Sequence, residues 1–210
     1  VSDRPPNSFH RAEHWETVYV EKDPLSLSWY QEEPTLSLGL FDALGIGPAS
    51  AAIDVGGGES HLVDRLLARG FTDVTVLDIA HSAIGASQQR IGSSPRVAWI
   101  VDDLLTWQPQ RRFALWHDRA VFHFLAGPEI DAYRELLDRA LSPQGAVILA
   151  TFAPDGPEYC SGLRVSRYGV DDLVDVLGAK FNVVAQKSEH HETPQGATQS
   201  FTWVAARRRA

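Results

Sequence analysis

From residue 51 onward the chain alternates short apolar runs with amphipathic stretches, and that alternation restricts it to a sheet layered with helices. AAIDV (51–55) runs into a glycine cluster, and a helix carrying Leu62, Val63, Leu66 and Leu67 follows and stops at Gly70. DVTVLD (73–78), VAWIV (97–101) and FALWH (113–117) read as three further strands, with HSAIGASQQRI (81–91) as a weaker helix among them. A helix opening on Pro128 carries Ile130, Tyr133, Leu137 and Ala140, and LSPQG (141–145) reads as the turn into a fifth strand, AVILATF (146–152). A loop rich in Pro and Gly leads to a helix near 170–177. Two closing strands, 181–190 and 198–206, are joined through Thr193-Pro194-Gln195-Gly196. So short a turn makes no parallel crossover, so at least one closing strand runs antiparallel to its neighbours.

Upstream of this pattern, residues 1–8 read as a frayed terminus. Phe9, Ala12, Trp15, Val18 and Tyr19 fall at helical spacing, Asp23-Pro24 breaks that helix, and a second helix runs from about Thr35 to Leu44. No linker divides the chain. The expectation is one domain over 1–210, with 1–48 as a helical cover and 49–206 as the sheet.

Charge and cysteine content narrow the function classes. Nineteen basic against 27 acidic residues give a formal charge of −8, which lacks the positive field that holds a nucleic-acid backbone, so no DNA partner is expected. A single cysteine, Cys160, excludes an internal disulfide framework and CxxC-type zinc or redox sites. No apolar run reaches the length of a membrane helix, and VSDRPPNSFH has no hydrophobic signal core, so a cytoplasmic chain is expected with no membrane partner. The absence of methionine and the start at Val1 fit an alternative start codon or a trimmed terminus. Arginine outnumbers lysine 16 to 3, which points towards a GC-rich bacterial genome.

The chemistry concentrates after the first strand. Asp54-Val55-Gly56-Gly57-Gly58-Glu59-Ser60 sits where an open sheet places its ligand, and glycine lets the backbone turn sharply and approach that ligand. Asp78 lies twenty residues beyond Gly58, at the end of the second strand, where a carboxylate accepts both hydroxyls of a ribose. Asp102-Asp103 close the third strand. Three acids at successive strand ends suit a ligand rich in hydroxyls and amines and oppose a pyrophosphate. Ser60 and His61 stand where a dinucleotide site has its third glycine, and an acid at 54 suits the ammonium of a methionine moiety.

Taken in order, DVGGGES (54–60), VTVLDIA (74–80), IVDDLLTW (100–107), ALWHDRAVFHFL (114–125) and LSPQGAVILATF (141–152) resemble the motifs of class I S-adenosylmethionine-dependent methyltransferases. HWETVYVEKDPLSLSWYQEEP (14–34) and the Asp118-Arg119 pair resemble the small bacterial, thiopurine-methyltransferase-like branch. The resemblance implies a Rossmann-like α/β fold: a seven-stranded, mostly parallel sheet with an antiparallel C-terminal hairpin strand and helices on both faces. It further implies that Gly56, Gly57 and Gly58 pass under S-adenosylmethionine and its product S-adenosylhomocysteine. Asp54 would hold the methionine ammonium and Asp78, followed by Ile79, the ribose. Asp103, ahead of Asp102, would take the adenine amine, with Leu104 as an apolar wall. His117 would border the methyl group, and Trp15, Trp29 and Tyr30 would cover the cofactor. Ser60 departs from the glycine that many members carry.

Methyl transfer from a sulfonium needs alignment and exclusion of water more than a dedicated base. His117 and His123, which flank Asp118-Arg119, are the candidate bases, with simple packing the competing reading for His123. Asp118 and Arg119 read as substrate contacts or as a structural ion pair. The long loop 151–168 offers Phe152, Tyr159, Cys160 and Arg164 to a substrate, with a buried inert thiol the alternative for Cys160. No metal is expected, since neither His190-His191 nor His10 and His14 has a third ligand nearby, and Arg207-Arg208-Arg209 reads as a solvated tail. The leading expectation is a methyltransferase for a small-molecule acceptor, acting as a monomer or homodimer. A protein lysine methyltransferase, a non-catalytic cofactor-binding protein and an NAD(P)-dependent oxidoreductase stand as alternatives.

Overall fold

A computed structural model describes residues 8–209, so residues 1–7 of the expected frayed start lie outside the described residues. A cover of two helices comes first, α1 (Ser8–Glu21) and α2 (Thr35–Ala43), with a one-turn 3-10 helix at Pro24–Ser26 between them. Strand and helix then alternate as β1 (Ala52–Val55), α3 (Leu62–Ala68), β2 (Val74–Asp78), α4 (His81–Ile91), β3 (Val97–Val101) and β4 (Phe113–Arg119). The chain continues through α5 (Pro128–Ala140) and β5 (Leu141–Phe152) to a small hairpin, β6 (Tyr159–Cys160) and β7 (Leu163–Arg164). It closes with α6 (Val170–Leu177), β8 (Phe181–Glu192) and β9 (Thr198–Arg208).

Seven of these strands form one sheet in the order β3-β2-β1-β4-β5-β9-β8. The first five are mutually parallel, and β9 enters antiparallel between β5 and β8. Order reverses between β1 and β4, and the carboxyl ends of the strands at such a reversal open a crevice. Alternation sorts the side chains into two apolar layers. Phe41, Leu66, Val76, Ile148 and Trp203 pack on one face, and Ile53, Leu77, Trp116, Tyr133 and Leu149 on the other. Along β4 this puts His117 on the α2 face and Asp118 on the α5 face.

Three local expectations change. LSPQG is not a turn ahead of β5 but an insertion within it. Phe113 pairs with Leu141 and Leu115 already with Ala146, and Gln144 turns through a left-handed φ of 60° inside the bulge. Arg207 and Arg208 belong to β9 and are not a solvated tail. Arg207 donates to Gln144 O at 3.0 Å and to Leu44 O, and Arg208 donates to Asp138 Oδ1 at 2.6 Å; Arg209 alone is exposed. The loop 151–168 carries the β6–β7 hairpin, turned by Ser161 and Gly162 at φ 47° and 80°. Positive φ at both central residues matches the right-handed twist of a tight hairpin.

Side-chain tethers lay the cover across the crevice. The Glu16 carboxylate accepts the Ser82 N–H at 3.2 and 3.1 Å, supplying the cap that the start of α4 otherwise lacks, and Arg11 pairs with Glu129 at the start of α5. Segment 26–31 hooks onto the closing hairpin. His191 Nε2 meets Ser28 O at 2.8 Å, and Gln31 donates to Glu189 Oε1 at 2.8 Å.

Candidate functional site

The turn after β1 requires glycine at all three positions. Gly56 and Gly58 lie at positive φ, 66° and 35°. A Cβ on Gly56 would collide with Val121. On Gly57 it would stand 2.7 Å from Asp54 Oδ2, and on Gly58 2.8 Å from the Tyr19 hydroxyl and 2.9 Å from Asp78 Oδ2. The Gly56 N–H donates back to Leu77 O at 2.7 Å, which holds the turn against β2. Ser60, the departure from glycine, accepts the Leu62 N–H on its hydroxyl at 3.1 Å and so helps start α3.

Each acid at the strand ends is held differently. Asp54 is buried within β1, where its Oδ1 meets His117 Nδ1 at 2.7 Å, and His117 Nε2 meets Ser37 Oγ at 2.9 Å. A carboxylate only accepts, so Nδ1 carries the proton shared with Asp54, while Nε2 is paired with the Ser37 hydroxyl. Asp54 Oδ2 is buried with no partner. Asp78 accepts the Ala80 N–H on Oδ1 at 2.9 Å, and burial pushes its carboxyl up to about 7 against the donors around it. Asp103 accepts the Leu105 N–H on Oδ1, while its Oδ2 is buried and unpartnered; Asp102 is exposed and receives only the Asp103 N–H.

These acids share a cleft of two joined compartments. The first runs from Asp102, Asp103 and Leu104 past Asp78, Ile79 and Gly56 to Trp15, Phe124, Arg119 and Cys160. The second contains Asp54, Gly57, His117, Ser37, Glu59 and Tyr30. Tyr19, Trp29, Gly56 and Arg119 line both. The cover's rings interlock, with centroids 5.9 Å apart for Trp15 and Trp29, 6.0 Å for Tyr19 and Trp29, and 5.2 Å for Trp15 and Phe124. Edge-to-face contact at these separations builds a rigid apolar wall.

Several expected residues stand elsewhere. Asp118 neither lines the cleft nor pairs with Arg119. It is fully buried on the α5 face, where it accepts the Val121 and Phe122 N–H groups and the Tyr133 hydroxyl, and burial lifts it to about 6. Strand alternation is the reason: neighbours on β4 point to opposite faces. His123 is likewise outside both compartments, packed between Phe124 and Phe152, with burial lowering its ring to about 3. Phe152 is core. Tyr159 and Arg164 pair across the small hairpin and face solvent, which leaves Cys160, between them in sequence, pointing inward. Burial raises the Cys160 thiol to about 12, which keeps it protonated. His117 lines the cleft with both ring nitrogens engaged.

Tyr19, Arg11, Phe124 and Ser37 were not singled out as site residues from the sequence. Tyr19 was legible only as one apolar position on a helix. Ser37 is a hydroxyl on the mostly apolar α2, and nothing in the sequence joins it to a histidine eighty residues away.

Comparison with known proteins adds to this geometry. Residues 52–145 match a family described as a methyltransferase domain. Malonyl-[acyl-carrier protein] O-methyltransferase 2 of Ilyobacter polytropus is 25% identical over 179 residues, covering 76% of this chain and 67% of that protein. Thiocyanate methyltransferase 1 of Brassica oleracea is 26% identical over 137 residues, covering 62% and 59%. The N-methyltransferase NodS from Bradyrhizobium japonicum, solved with S-adenosyl-L-homocysteine, superposes with a TM-score of 0.72 over 98% of this chain and 100% of that one, at 16% identity. That last likeness is one of fold.

Proposed function

Starting from a chain that is a class I S-adenosylmethionine-dependent methyltransferase, we propose that it methylates a small-molecule acceptor held under the aromatic cover. The observation that carries the cofactor assignment is the acid rim. Asp54 and Asp103 each keep a buried, unpartnered carboxylate oxygen, and Asp54 stands against a glycine turn in which a Cβ at Gly57 would crowd its Oδ2. Those oxygens fit the ammonium of the methionine part at Asp54 and the adenine amine at Asp103, and Asp78 fits the ribose hydroxyls. Gly56, Gly57 and Gly58 give the close backbone approach, Ile79 and Leu104 the apolar walls, and Trp15, Trp29 and Tyr30 the cover.

When bound, the sulfonium supplies an activated methyl group for in-line displacement. The chain's own residues bind, orient and exclude water. His117 holds Asp54 in register and does not act as a free base, because its two nitrogens are already bonded to Asp54 and Ser37. The cover tethers at Glu16, Arg11 and His191 keep Trp15, Trp29 and Phe124 packed over the reacting end, which limits access of water.

The relatives named above are methyltransferases of a malonyl-[acyl-carrier protein] and of thiocyanate, which supports a small methyl-accepting group here. A lysine acceptor wants acids beside the incoming amine, whereas the inner end of this cleft presents Arg119 and Arg11. The charge of −8 argues against DNA, and the free buried Cys160 together with the arginine-rich composition supports a cytoplasmic bacterial enzyme. Among the described residues no helix is long and apolar enough to cross a membrane. Calorimetry with S-adenosylmethionine, S-adenosylhomocysteine, NAD and NADP tests the reading: both adenosyl ligands bind and neither dinucleotide does. Binding of a dinucleotide alone overturns it.

A further inference from the structure

Among the described residues three that are not glycine hold a positive φ: Ala120 at 72°, Gln144 at 60° and Ser161 at 47°. A left-handed backbone crowds the Cβ of any such residue, so each position is strained. Gln144 turns the bulge in β5 and Ser161 the tip of the β6–β7 hairpin, and neither lines the cleft. Ala120, the residue directly after β4, does.

The surroundings fix Ala120 in this conformation. Its own N–H donates to Ala150 O at 2.9 Å, and the N–H of Val121 donates to Asp118 Oδ1 at 3.0 Å. These bonds account for the turn but not for the methyl group. Glycine would make the same bonds without strain, and the chain uses glycine at nine other positions of positive φ. Strain kept where one substitution would remove it points to a contribution from the side chain itself. The Ala120 methyl is half-buried against the apolar layer that holds Cys160, a layer against which Trp29 and Phe124 also pack. Cys160, Trp29 and Phe124 wall the first compartment, together with Trp15 and Leu125. The strained methyl group therefore stands on the aromatic side of the cleft.

We propose that Ala120 is a specificity-determining residue, whose methyl group is the stop against which the methyl acceptor rests and which limits that acceptor to a short apolar body. The aromatic walls around it suit an apolar ligand, and a rigid stop in an apolar pocket discriminates between ligands that differ by one methylene. The inference rests on the methyltransferase reading and extends it to the size and polarity of the acceptor. It also accounts for the strain: a glycine would leave the end of the cleft one methyl group deeper, and a larger side chain would fill it.

Two substitutions that a left-handed backbone accepts test this in opposite directions, Ala120→Gly and Ala120→Asn. A series of 4-alkylphenols, from phenol to 4-pentylphenol, is titrated into the protein saturated with S-adenosylhomocysteine, followed by calorimetry and tryptophan fluorescence. With the wild-type chain, affinity rises about fourfold per added methylene until the alkyl group meets the stop, and then falls. Ala120→Gly moves that maximum to an alkyl group longer by at least one carbon. Ala120→Asn binds the member that the wild type prefers at least fivefold more weakly. S-adenosylhomocysteine binds both variants within about twofold of wild type, and the melting temperature of Ala120→Gly holds or rises. An unchanged maximum in an Ala120→Gly protein that is folded by near-ultraviolet circular dichroism reduces the methyl to core packing and overturns the proposal. Binding of no member of the series by the wild-type complex overturns it too, since that end of the cleft then takes no apolar body. Loss of S-adenosylhomocysteine affinity beyond twofold in both variants moves the methyl into the cofactor's space, with the same consequence. Should the Asn variant not fold, the Gly variant decides alone. Failure of the wild-type chain to bind either adenosyl ligand strikes the methyltransferase reading instead, and that result needs no phenol.

Discussion

The two ends of the cleft are built by different means. At the end towards β3 the functional groups are backbone-fixed. Asp54 pairs in register with Val76 on one side and His117 on the other, and Asp78 pairs with Val101, so four parallel strands set where the carboxylates stand. The other end is assembled from segments distant in sequence: Arg11 and Trp15 on α1, Trp29 in the connector, Phe124 after β4, and Cys160 on a two-residue strand. Side-chain tethers and a few loop backbone bonds, such as Ser166 N–H to His123 O at 2.8 Å, hold that wall. A sheet places an invariant ligand with little freedom, whereas a tethered wall can change its ligand by changing a few side chains. Under the function proposed above, the rigid half would serve a common cofactor and the adaptable half the acceptor.

The sharpest control on this contrast is an acid that belongs to neither half. Asp118 is buried like Asp54 and Asp78, but three donors of its own chain satisfy it. Asp118→Ala orphans two buried N–H groups and the Tyr133 hydroxyl, and at roughly 1–3 kcal/mol per orphaned group the expected loss of folding stability is about 3 kcal/mol. Urea denaturation measures it. The variant that folds should still bind S-adenosylhomocysteine within about twofold of wild type. A large binding defect without a stability defect would return Asp118 to the site.

Next in size is Asp78, where the order inverts. Asp78→Ala should weaken S-adenosylhomocysteine at least tenfold, since charge-assisted hydrogen bonds to hydroxyls are worth roughly 1.5–3 kcal/mol each. Stability in the absence of ligand should fall by less than in Asp118→Ala, because the buried Ala80 N–H loses its acceptor while a carboxyl buried against its preference is removed. Calorimetry and thermal melts on the same preparation read both quantities. Unchanged affinity with an intact fold shows that the acid is misassigned.

Strand ends and the glycine turn were legible because they are periodic and local. The runs at 51–55, 73–78 and 97–101 and the acids that close them are where the sheet has them, within a residue. The small hairpin was not, since two residues per strand carry no period. Nor was the inward turn of Asp118, because the strand was read to end at residue 117 and its alternation was not carried on to Asp118 and Arg119, which point to opposite faces. Among the aromatic residues, Trp15 and Trp29 were readable as cover through a resemblance, while Tyr19, one turn further along α1, merged into the apolar stripe. His123 illustrates the limit from the other side: a histidine beside a motif is indistinguishable in sequence from one that only fills a gap between two phenylalanines.

A smaller effect tests the electrostatics of the rigid half. The carboxyl of Asp78 sits at about 7 through burial, above the ordinary 3.8. Between those values the folded chain keeps a proton that the unfolded chain has lost, so this group lowers stability as pH rises through the window. Asp118, lifted to about 6, acts in the same direction, and ligand binding isolates Asp78 from it. Hydroxyl donors favour the ionised form, so affinity for S-adenosylhomocysteine should rise from pH 5.5 to about 7, by at most tenfold per unit, and level off above. Titrations in two buffers of different ionisation enthalpy should show proton release below pH 7, absent in Asp78→Asn. A flat profile over that range would mean that Asp78 is ionised before the ligand arrives.

The least expected effect bears most directly on how the rigid half is kept rigid. Ser37 touches no strand-end acid. It bonds His117 at 2.9 Å, which bonds Asp54 at 2.7 Å, and all three are buried. Removing the hydroxyl in Ser37→Ala leaves His117 Nε2 without its partner, costing about 1 kcal/mol of stability and loosening the ring that aims Asp54. S-adenosylhomocysteine should then bind two- to fivefold more weakly, while an analogue lacking the methionine amine should be unaffected, because the defect reaches the ligand only through the orphaned Asp54 oxygen. Ser37→Thr, which keeps a hydroxyl, should restore the difference between the two ligands. Equal weakening of both would make the Ser37–His117 bond a matter of packing under α2. In that case the β1 backbone alone would orient Asp54, and the rigid half would need no help from the cover.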